Sequence, residues 1–262
     1  EMPTTHTLPD GWYIDYRPSA TSSNDLALAV LRQNCGKAEG KCFQVGEQTK
    51  GRGRRGKQWV SKSGDGLYLS IILCPETARD TWSGLSFMAS LAVYKALLGL
   101  IEDEHILRCS LKWPNDILYD NRKLAGILLE ASAEGVVVGC GINLANAPVL
   151  GQTNFPPVAL DELVKSQSVD SKALACAVIR RIAELYATWQ NSGMPVILKE
   201  WRSYCDMEGQ SLRIETVKDM ITGTYVDIGS SGQLIVRKAD GGLVQIHAGD
   251  VEVLRGSDAS GN

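Results

Sequence analysis

The stretch Gly51-Arg52-Gly53-Arg54-Arg55-Gly56-Lys57-Gln58-Trp59 decides how the rest of the chain is interpreted. It combines three glycines with four cationic residues. Glycine lets the backbone adopt positive φ and lets a ligand approach the main-chain N–H groups. Arginine adds a planar, permanently charged group that matches carboxylate and phosphate oxygens. We expect a loop that closes over an anionic ligand; a solvated basic loop without a ligand is the alternative.

Two nucleotide-binding patterns share the glycine spacing of this segment. Gly51-x-Gly53-x-x-Gly56 fits the dinucleotide fingerprint, and Gly51 to Lys57 fits most of a P-loop. Both patterns need a helix directly after the glycines, because its N-terminus holds the phosphate. Here a polar segment follows and leads into the apolar run 67–73, which predicts a strand. Neither of the two folds is expected.

The composition is that of a globular protein with a sizeable core. The 262 residues are 44% hydrophobic and 22% charged, with a net charge of −3 from 27 Lys and Arg against 30 Asp and Glu. No general basic field exists to hold nucleic acid, so an anion site must be local. No apolar run approaches the ~20 residues that span a bilayer, and no signal peptide is visible in the first fifteen residues. We expect a cytoplasmic protein without a membrane partner.

The seven cysteines are scattered and include no C-x-x-C pair. They stand at positions 35, 42, 74, 109, 140, 176 and 205. An odd count with several members inside apolar runs favours reduced, buried thiols over disulfides or a zinc site.

Hydrophobic periodicity predicts the main elements. A helix should start at Ser22-Ser23-Asn24, because hydroxyl and amide side chains cap helices. Further helices are predicted at 81–100, 171–189 and 196–204, with Gly193 and Pro195 breaking the last two apart. Strands are predicted at 12–16, 42–47, 67–73, 107–112, 116–119, 123–132 and 136–143.

The residue pattern changes at Gly209. Short strands are predicted at 211–216, 220–228, 233–237, 243–248 and 251–254, separated by glycine-rich turns. Such a small barrel is marginal alone, so we expect it to dock on the main domain. The predicted divisions are a catalytic domain at 1–207, a small β-barrel at 208–256 and a disordered tail at 257–262.

Two further motifs lie at predicted strand ends. The first is Lys112-Trp113-Pro114-Asn115-Asp116, facing Lys123-Leu124-Ala125-Gly126-Ile127-Leu128-Leu129-Glu130 across a turn. Pro114 cannot donate to a strand ladder, so the backbone should turn there. The second is Gly139-x-Gly141-Ile142-Asn143, whose alternate glycines leave one sheet face bare for a flat group. Without a ligand, the alternative for the first motif is a hairpin with solvated charges, and the alternative for the second is tight helix–strand packing.

Taken in order, Gln48, GRGRRGxxW, KWPNDI, KLAGILxE and GxGIN resemble the biotin–protein ligases, also called biotin–[acetyl-CoA-carboxylase] ligases. The resemblance covers about residues 12–255. It implies an α+β fold: a catalytic domain like that of class II aminoacyl-tRNA synthetases and biotin ligases, with a mixed, mainly antiparallel sheet and helices. A C-terminal SH3-like β-barrel follows in that family, in agreement with the pattern at 209–255.

The resemblance also implies a two-step reaction. Biotin and ATP, with Mg²⁺, give biotinyl-5′-AMP, and a lysine of a biotin carboxyl carrier protein domain then takes the biotin. Catalysis is implied for Lys123, Arg54 and Asp116, and Asp116 is also the implied Mg²⁺ ligand and acceptor of the lysine proton. Biotin binding is implied for Ser22, Ser23, Asn24, Gln48, Gly51, Arg52, Gly53, Arg54, Lys123 and Gly126. Adenylate binding is implied for Arg52, Arg54, Arg55, Trp59, Lys112, Asn115, Asp116, Gly141 and Asn143.

The sequence departs from the family in two places. The usual Ser-Thr-Asn is Ser22-Ser23-Asn24 here, which keeps the hydroxyl and loses a methyl group. Some members stack a tryptophan on adenine from the loop that is Phe155-Pro156-Pro157-Val158 here. The adenine-stacking residue therefore stays unassigned.

Other functions stay open on the sequence alone. A lipoate or octanoate ligase or transferase of the same superfamily is the alternative enzyme. A biotin-sensing DNA-binding repressor would need an N-terminal winged helix, but only about ten residues precede Trp12. We expect the monofunctional form, with no DNA partner, as a monomer or homodimer. A non-catalytic ligand-binding module is the remaining alternative.

Overall fold

The computed structural model describes residues 7–33, 37–151, 153–164 and 169–254. A seven-stranded mixed sheet forms its centre, with strand order β1-β2-β3-β7-β6-β5-β4. The strands are β1 (Tyr13–Ala20), β2 (Lys41–Gln48), β3 (Gly66–Leu73), β4 (Cys109–Lys112), β5 (Asp116–Tyr119), β6 (Arg122–Ala131) and β7 (Val136–Asn143). Only β1 and β2 pair in parallel, and the other neighbours are antiparallel. The predicted mixed, mainly antiparallel sheet is confirmed.

Helices cover both faces of this sheet. They are α1 (Ser23–Gln33), α2 (Leu85–Leu98), α3 (Asp103–Ile106), α4 (Ser171–Ser192) and α5 (Met194–Ser203). On one face, α1 packs on Phe43, Ile72 and Val137 in a small cluster. On the other, α2, α4 and α5 belong to the main core, with strand neighbours that include Leu69, Ile71 and Val138. Successive strand residues point to opposite faces, so each strand serves both cores.

Helix α2 is buried almost all round. Its exposed positions are few because it lies between the sheet and α4. A helix that is apolar on every side is expected in such a central layer. This explains why its periodicity in the sequence is blurred and why its start was predicted too early.

Several element boundaries differ from the predictions, including β1, which runs to Ala20 instead of ending at residue 16. Residues 79–84 form a 3₁₀ turn in which Trp82 Nε1 donates to Thr77 O at 3.1 Å, so α2 begins at Leu85 instead of Thr81. The short helix α3 was missed, and Leu107 is 95% exposed instead of lying in a strand. Pro195 lies in the first turn of α5, where its missing N–H has no partner to lose.

A second, five-stranded antiparallel sheet follows α5, with strand order β11-β10-β9-β8-β12. Its strands are β8 (Ser211–Glu215), β9 (Met220–Ile228), β10 (Leu234–Arg237), β11 (Leu243–Ile246) and β12 (Asp250–Val253). The predicted strands are confirmed to within two residues. The predicted tail at 257–262 lies outside the described residues.

The C-terminal sheet is docked on the first part of the chain. Its buried residues belong to the same hydrophobic cluster as α2 and α4. Trp113 Nε1 donates to Gly232 O at 2.9 Å, and Arg202 Nε donates to Ile228 O at 3.1 Å. Small sheets bury too little surface to be stable alone, and a shared core removes that difficulty.

Within the described ranges, no helix has the length and apolar character needed to cross a membrane. The described cysteines are free thiols, as predicted, and Cys35 lies outside the described residues.

Candidate active site

One cavity of about 420 Å³ collects most of the predicted site residues. It lies under the loop at residues 51–59, between β6, β7 and the C-terminal sheet. The predicted residues that line it are Ser22, Ser23, Asn24, Gln48, Arg52, Gly53, Arg54, Trp59, Lys112, Asn115, Asp116, Lys123, Gly126, Gly141 and Asn143. Gly51 and Arg55 are the predicted residues that do not line it.

The loop itself is a narrow hairpin. Gly53 N donates to Lys57 O at 2.6 Å, and Trp59 N donates to Gly51 O at 2.9 Å. At the tip, Arg55 has φ +54° and Gly56 has φ +77°. These left-handed conformations let the chain reverse within a few residues. No helix follows, which agrees with the rejection of the P-loop and dinucleotide patterns.

Gly51 supports the loop from behind instead of facing the ligand. A Cβ at this position would lie 2.4 Å from Trp59 O and 2.7 Å from Ser61 Oγ. The two arms of the hairpin can only pair this closely because position 51 has no side chain. Gly51 thus has a packing role in this loop and does not line the cavity, and its contact with biotin stays a prediction.

Arg55 points away from the cavity. Its guanidinium donates to Glu215 O at 2.7 Å and to Thr216 O at 2.9 Å. The two carbonyls belong to the last residue of β8 and the residue after it, so Arg55 connects the loop tip to the C-terminal sheet. Arg55 does not line the cavity in this arrangement, and its contact with the adenylate stays a prediction.

A neutral hydroxyl and amide group forms one end of the cavity. Ser22 Oγ caps α1 by accepting from Asp25 N at 3.1 Å. Gln48, at the end of β2, accepts from Ser23 N at 2.8 Å and donates to Ser61 Oγ at 2.8 Å. Capping and ligand binding were alternatives in the sequence, and the geometry is compatible with both. The donors and acceptors of this end suit an uncharged polar ligand.

Asn24 and Arg52 share a carboxylate that the sequence analysis did not assign. Asn24 Nδ2 donates to Glu130 Oε2 at 2.6 Å, and Arg52 lies 3.0 Å from the same oxygen. Arg52 also pairs with Asp25 at 2.8 Å. The sequence signals for Glu130 were its place in the KLAGILxE motif and its acidic side chain after an apolar run, and neither identified its partners.

A cationic cluster forms the other end. Asp116, with a side chain 13% exposed, lies 2.7 Å from Lys123 Nζ and 3.5 Å from Lys112 Nζ. The Lys112 ammonium also lies 4.6 Å from the centroid of the Phe155 ring. Arg54 contributes a third cation, within 3.4 Å of Asn115 Oδ1. Several positive charges thus meet where a phosphate or carboxylate would lie.

Burial and charge shift the pKa values of this cluster. Burial lowers the pKa of Lys112, although Asp116 partly opposes the change. Burial alone would raise the pKa of Asp116, but the ammonium groups of Lys123 and Lys112 lower it below its ordinary value. Burial also lowers the pKa of Arg54. Asp116 is thus held ionised between two lysines.

The surroundings of Asp116 do not form a metal site by themselves. Mg²⁺ prefers oxygen ligands in an octahedron and is usually bound by one or two carboxylates together with substrate phosphates. Both carboxylate oxygens of Asp116 already contact ammonium groups. The other carboxylates that line the cavity, on the C-terminal sheet, include Asp250 and Glu252, which pair with Lys57 and Arg213. The donor set argues against a resident ion at Asp116.

The indole ring of Trp59 covers the sheet face that the glycines of β6 and β7 leave without side chains. Gly126 and Gly141 are partners across β6 and β7. A Cβ at Gly141 would lie 2.5 Å from Trp59 Cε2, and one at Gly126 would lie 3.1 Å from Trp59 Cζ3. Trp59 Nε1 is buried and has no hydrogen-bond partner among the described residues. At Gly139, the other bare position, the Asn24 amide takes the space.

Asn143 connects the site to the segment after β7. Its Nδ2 donates to Lys123 O and Val158 O, both at 3.1 Å. The donors of this amide are therefore used to hold the start of β6, which carries Lys123, beside the cavity.

The C-terminal sheet also reaches the cavity, which the sequence did not indicate. Arg213, Glu215, Met220, Asp250, Val251 and Glu252 line it. Lys57 pairs with Asp250 at 2.7 Å, and Arg54 lies 3.4 Å from Gly249 O. Local patterns cannot predict contacts between segments so distant in the chain.

Comparisons with known proteins agree with this geometry. The model of the biotin/lipoate A/B protein ligase family matches residues 18–143. The chain is 35% identical over 203 residues to a biotin--[acetyl-CoA-carboxylase] ligase of Paracoccus denitrificans, covering 73% of this chain and 81% of that protein. It is 29% identical over 253 residues to the bifunctional ligase/repressor BirA of Bacillus subtilis, covering 93% and 74%.

A solved structure gives the same result. The biotin protein ligase of Aquifex aeolicus in complex with biotin and ATP superposes with a TM-score of 0.77 at 26% identity, covering 92% of this chain and 98% of that one. Sequence motifs, fold and the paired neutral and cationic ends of one cavity lead to the same assignment. The chain belongs to the biotin protein ligase family.

Proposed function

We propose that this chain is an ATP-dependent biotin–protein ligase. A biotin carboxylate oxygen attacks the α-phosphorus of ATP, which releases pyrophosphate and leaves biotinyl-5′-AMP. The amine of a carrier lysine then attacks the activated carbonyl, an amide bond forms, and AMP leaves. The carrier is a biotin carboxyl carrier protein domain.

One observation carries this proposal: a neutral hydroxyl and amide group and a cationic cluster face the same cavity. A carboxylate and a triphosphate repel each other, so an enzyme that joins them must place cations between them. Arg54, Lys112 and Lys123 supply that charge. Because Asp116 holds Lys112 and Lys123 before the substrates arrive, little reorganisation of these two cations is needed during the reaction.

The ureido ring of biotin would occupy the neutral end. It needs both donors and acceptors, which Ser22, Ser23, Asn24 and Gln48 supply. The carboxylate tail would then point toward Lys123 and Arg54, which also contact the α-phosphate. Gly53 leaves room for this tail because it carries no side chain, whereas Gly126 lets Trp59 and Lys123 approach the sheet closely.

The adenylate would lie beside the Trp59 ring, which covers the glycine face. Trp59, Gly141, Asn143, Asn115 and Lys112 line that side of the cavity. Arg52 is engaged by Asp25 and Glu130. We therefore assign Arg52 to holding the loop, with any contact to the adenylate following a change of partners.

We assign Asp116 to positioning Lys112 and Lys123. As acceptor of the proton of the carrier lysine, it is a weak base, because the two ammonium groups lower its pKa. Mg²⁺ is proposed to enter as the ATP complex, held mainly by phosphate oxygens. No step is assigned to the ion.

Three coarser features complete the proposal. The free thiols are compatible with a reducing, cytoplasmic location. The division into residues 1–207 and an SH3-like module at 208–256 is supported by the second sheet. A monomer and a homodimer are both compatible with the proposed chemistry.

The decisive experiment is mass spectrometry of the purified protein after incubation with biotin and ATP. Retained biotinyl-5′-AMP, followed by labelling of a carrier domain, is the expected result. Carrier labelling with lipoate and ATP, but not with biotin, would move the chain to the lipoate branch. Binding of biotin without pyrophosphate release would leave only a ligand-binding module.

A further inference from the structure

Glu130 connects two parts of the site without lining the cavity. It lies near the end of β6, and its side chain is 28% exposed. Its carboxylate contacts Asn24 at 2.6 Å and Arg52 at 3.0 Å, through the same oxygen. Both of those residues do line the cavity. Glu130 is therefore placed to act through its neighbours and not on the ligand itself.

Asn24 has its orientation fixed from both ends. Its Oδ1 accepts from the Ser70 hydroxyl at 2.5 Å, while its Nδ2 donates to Glu130. The amide lies against Gly139, where a Cβ would be 2.4 Å from Oδ1. Asn24 is 5% exposed, so removing its charged acceptor would leave a buried donor unsatisfied. The Asn24 amide depends on Glu130 for its direction.

Arg52 depends on the same carboxylate for a different purpose. It opens the loop hairpin, where it pairs with Gln58. Its guanidinium bridges Asp25 at the start of α1 and Glu130 on β6. The pairs are partly exposed, and such pairs are individually weak. This makes the closure of the loop reversible.

We propose that Glu130 is a positioning residue that couples occupancy of the biotin-ring end to closure of the loop at residues 51–59. A ligand bound to Asn24 stabilises the contact between the Asn24 amide and the Glu130 oxygen, and Arg52 needs that same oxygen, so the ligand favours the closed loop. By linkage, a closed loop favours the ligand to the same extent. The inference rests on the proposed function, because the ring end must bind biotin.

The test is the Glu130→Gln variant, measured for KM of biotin, KM of ATP, kcat and tryptic cleavage within residues 51–62. Glutamine keeps the shape and one acceptor oxygen but loses the charge, so the hydrogen bond from Asn24 is weakened and the ion pair with Arg52 is lost. The expected result is a rise of about tenfold or more in the KM of biotin, with smaller changes in the KM of ATP and kcat. Protection of the loop by biotin should be lost. If Glu130 only supported the structure, the variant would lose thermal stability, and the KM of biotin would not rise more than the KM of ATP.

The matched control is Glu162→Gln. Glu162 pairs at 2.8 and 3.1 Å with Arg122, which lies on the same strand as Glu130. The Glu162 side chain is 42% exposed and does not line the cavity. Its kinetic constants should equal those of the wild type. Asp25→Asn removes the other partner of Arg52 without touching the Asn24 amide. Asp25→Asn should clearly reduce the protection of the loop from trypsin and should raise the KM of biotin less than Glu130→Gln does.

A wild-type KM of biotin and intact loop protection in Glu130→Gln would overturn the inference while leaving the ligase activity untouched. Absence of biotinyl-5′-AMP in the wild type would instead overturn the proposed function. If Glu130→Gln does not fold, Glu130→Asp is used. It keeps the charge but is too short to reach both partners, and it must show the same selective rise in the KM of biotin.

Discussion

The loop at residues 51–59 and the turn at residues 112–116 bring cations to the same cavity by different means. The turn is built into the core: Lys112 is 5% exposed, Trp113 is 1% exposed and Asn115 is 6% exposed. The loop lies on the surface, and the Lys57 side chain is 72% exposed. One set of charges is therefore fixed before any ligand binds, and the other is held by contacts that break easily.

The physical difference is burial. Removing one partner from a buried ion pair leaves an uncompensated charge and typically costs about 3–5 kcal/mol. Exposed pairs typically contribute about 0–1 kcal/mol, because water and salt screen them. The turn can thus serve as a rigid platform, while the loop can open for substrates and close over them.

The largest expected effect comes from breaking the turn at its anchor. Trp113→Ala removes a fully buried ring and its hydrogen bond to Gly232. We expect a loss of about 3–5 kcal/mol in the free energy of unfolding, measured by chemical denaturation. Trp113→Phe keeps most of the ring and should lose about 1 kcal/mol. Equal stability of all three proteins would show that the turn is not held by this anchor.

The next effect concerns the charge beside the turn. Lys123→Ala should slow adenylate formation about 10²–10³-fold, because it removes a cation placed where negative charge develops. Pyrophosphate release gives the rate. Lys238→Ala is the control, since Lys238 pairs with Asp240 outside the cavity. An undiminished rate in Lys123→Ala would remove Lys123 from the chemistry.

A smaller effect tests the buried pairs through pH. Asp116→Asn leaves Lys112 without its ionised partner, and we expect a loss of about 2–3 kcal/mol at pH 7. The folded pKa of Asp116 is lowered from its ordinary value of 3.8, so its contribution is complete above that pH and falls as the pH drops below it.

The difference in stability between wild type and Asp116→Asn should therefore shrink between pH 5 and pH 2, as followed by urea denaturation. A difference that stays constant over this range would mean that the lysines do not hold the carboxylate ionised.

The smallest effect is expected in the loop. Lys57→Ala removes the exposed pair with Asp250 and should change the free energy of unfolding by less than about 0.5 kcal/mol. Raising the salt concentration should make the two proteins indistinguishable. If Lys57→Ala lost as much free energy of unfolding as Asp116→Asn, the loop would be held as firmly as the turn, against this prediction.

The sequence predicted much of the fold because its signals are local. Strand β3 follows from its run of β-branched and other apolar residues. The turn follows from Asp120 and Asn121, two turn residues that both adopt positive φ. The start of α1 follows from the cap at Ser22. The start of α2 was predicted wrongly because that helix is buried on all sides and carries little periodicity.

The candidate site was predictable to a similar degree. Motif residues such as Arg54, Lys112 and Lys123 could be named because their residue types match the chemistry. The packing of Gly51 against Trp59 and the contacts of Arg55 with residues 215 and 216 could not, because both depend on the folded shape of the hairpin. Glu130 and Asp250 were missed as partners because an ion pair depends on distances in space.

The sequence by itself determined the family, the element order and the kinds of group available for the reaction. Those properties depend on residue type and short-range spacing, which the chain carries at every position. Only the tertiary structure decided that Trp59 covers Gly126 and Gly141, that Trp113 anchors the C-terminal sheet, and that Glu130 joins Asn24 to Arg52. Those properties depend on burial and on angstrom-scale distances between distant segments, which are fixed only when the whole core packs.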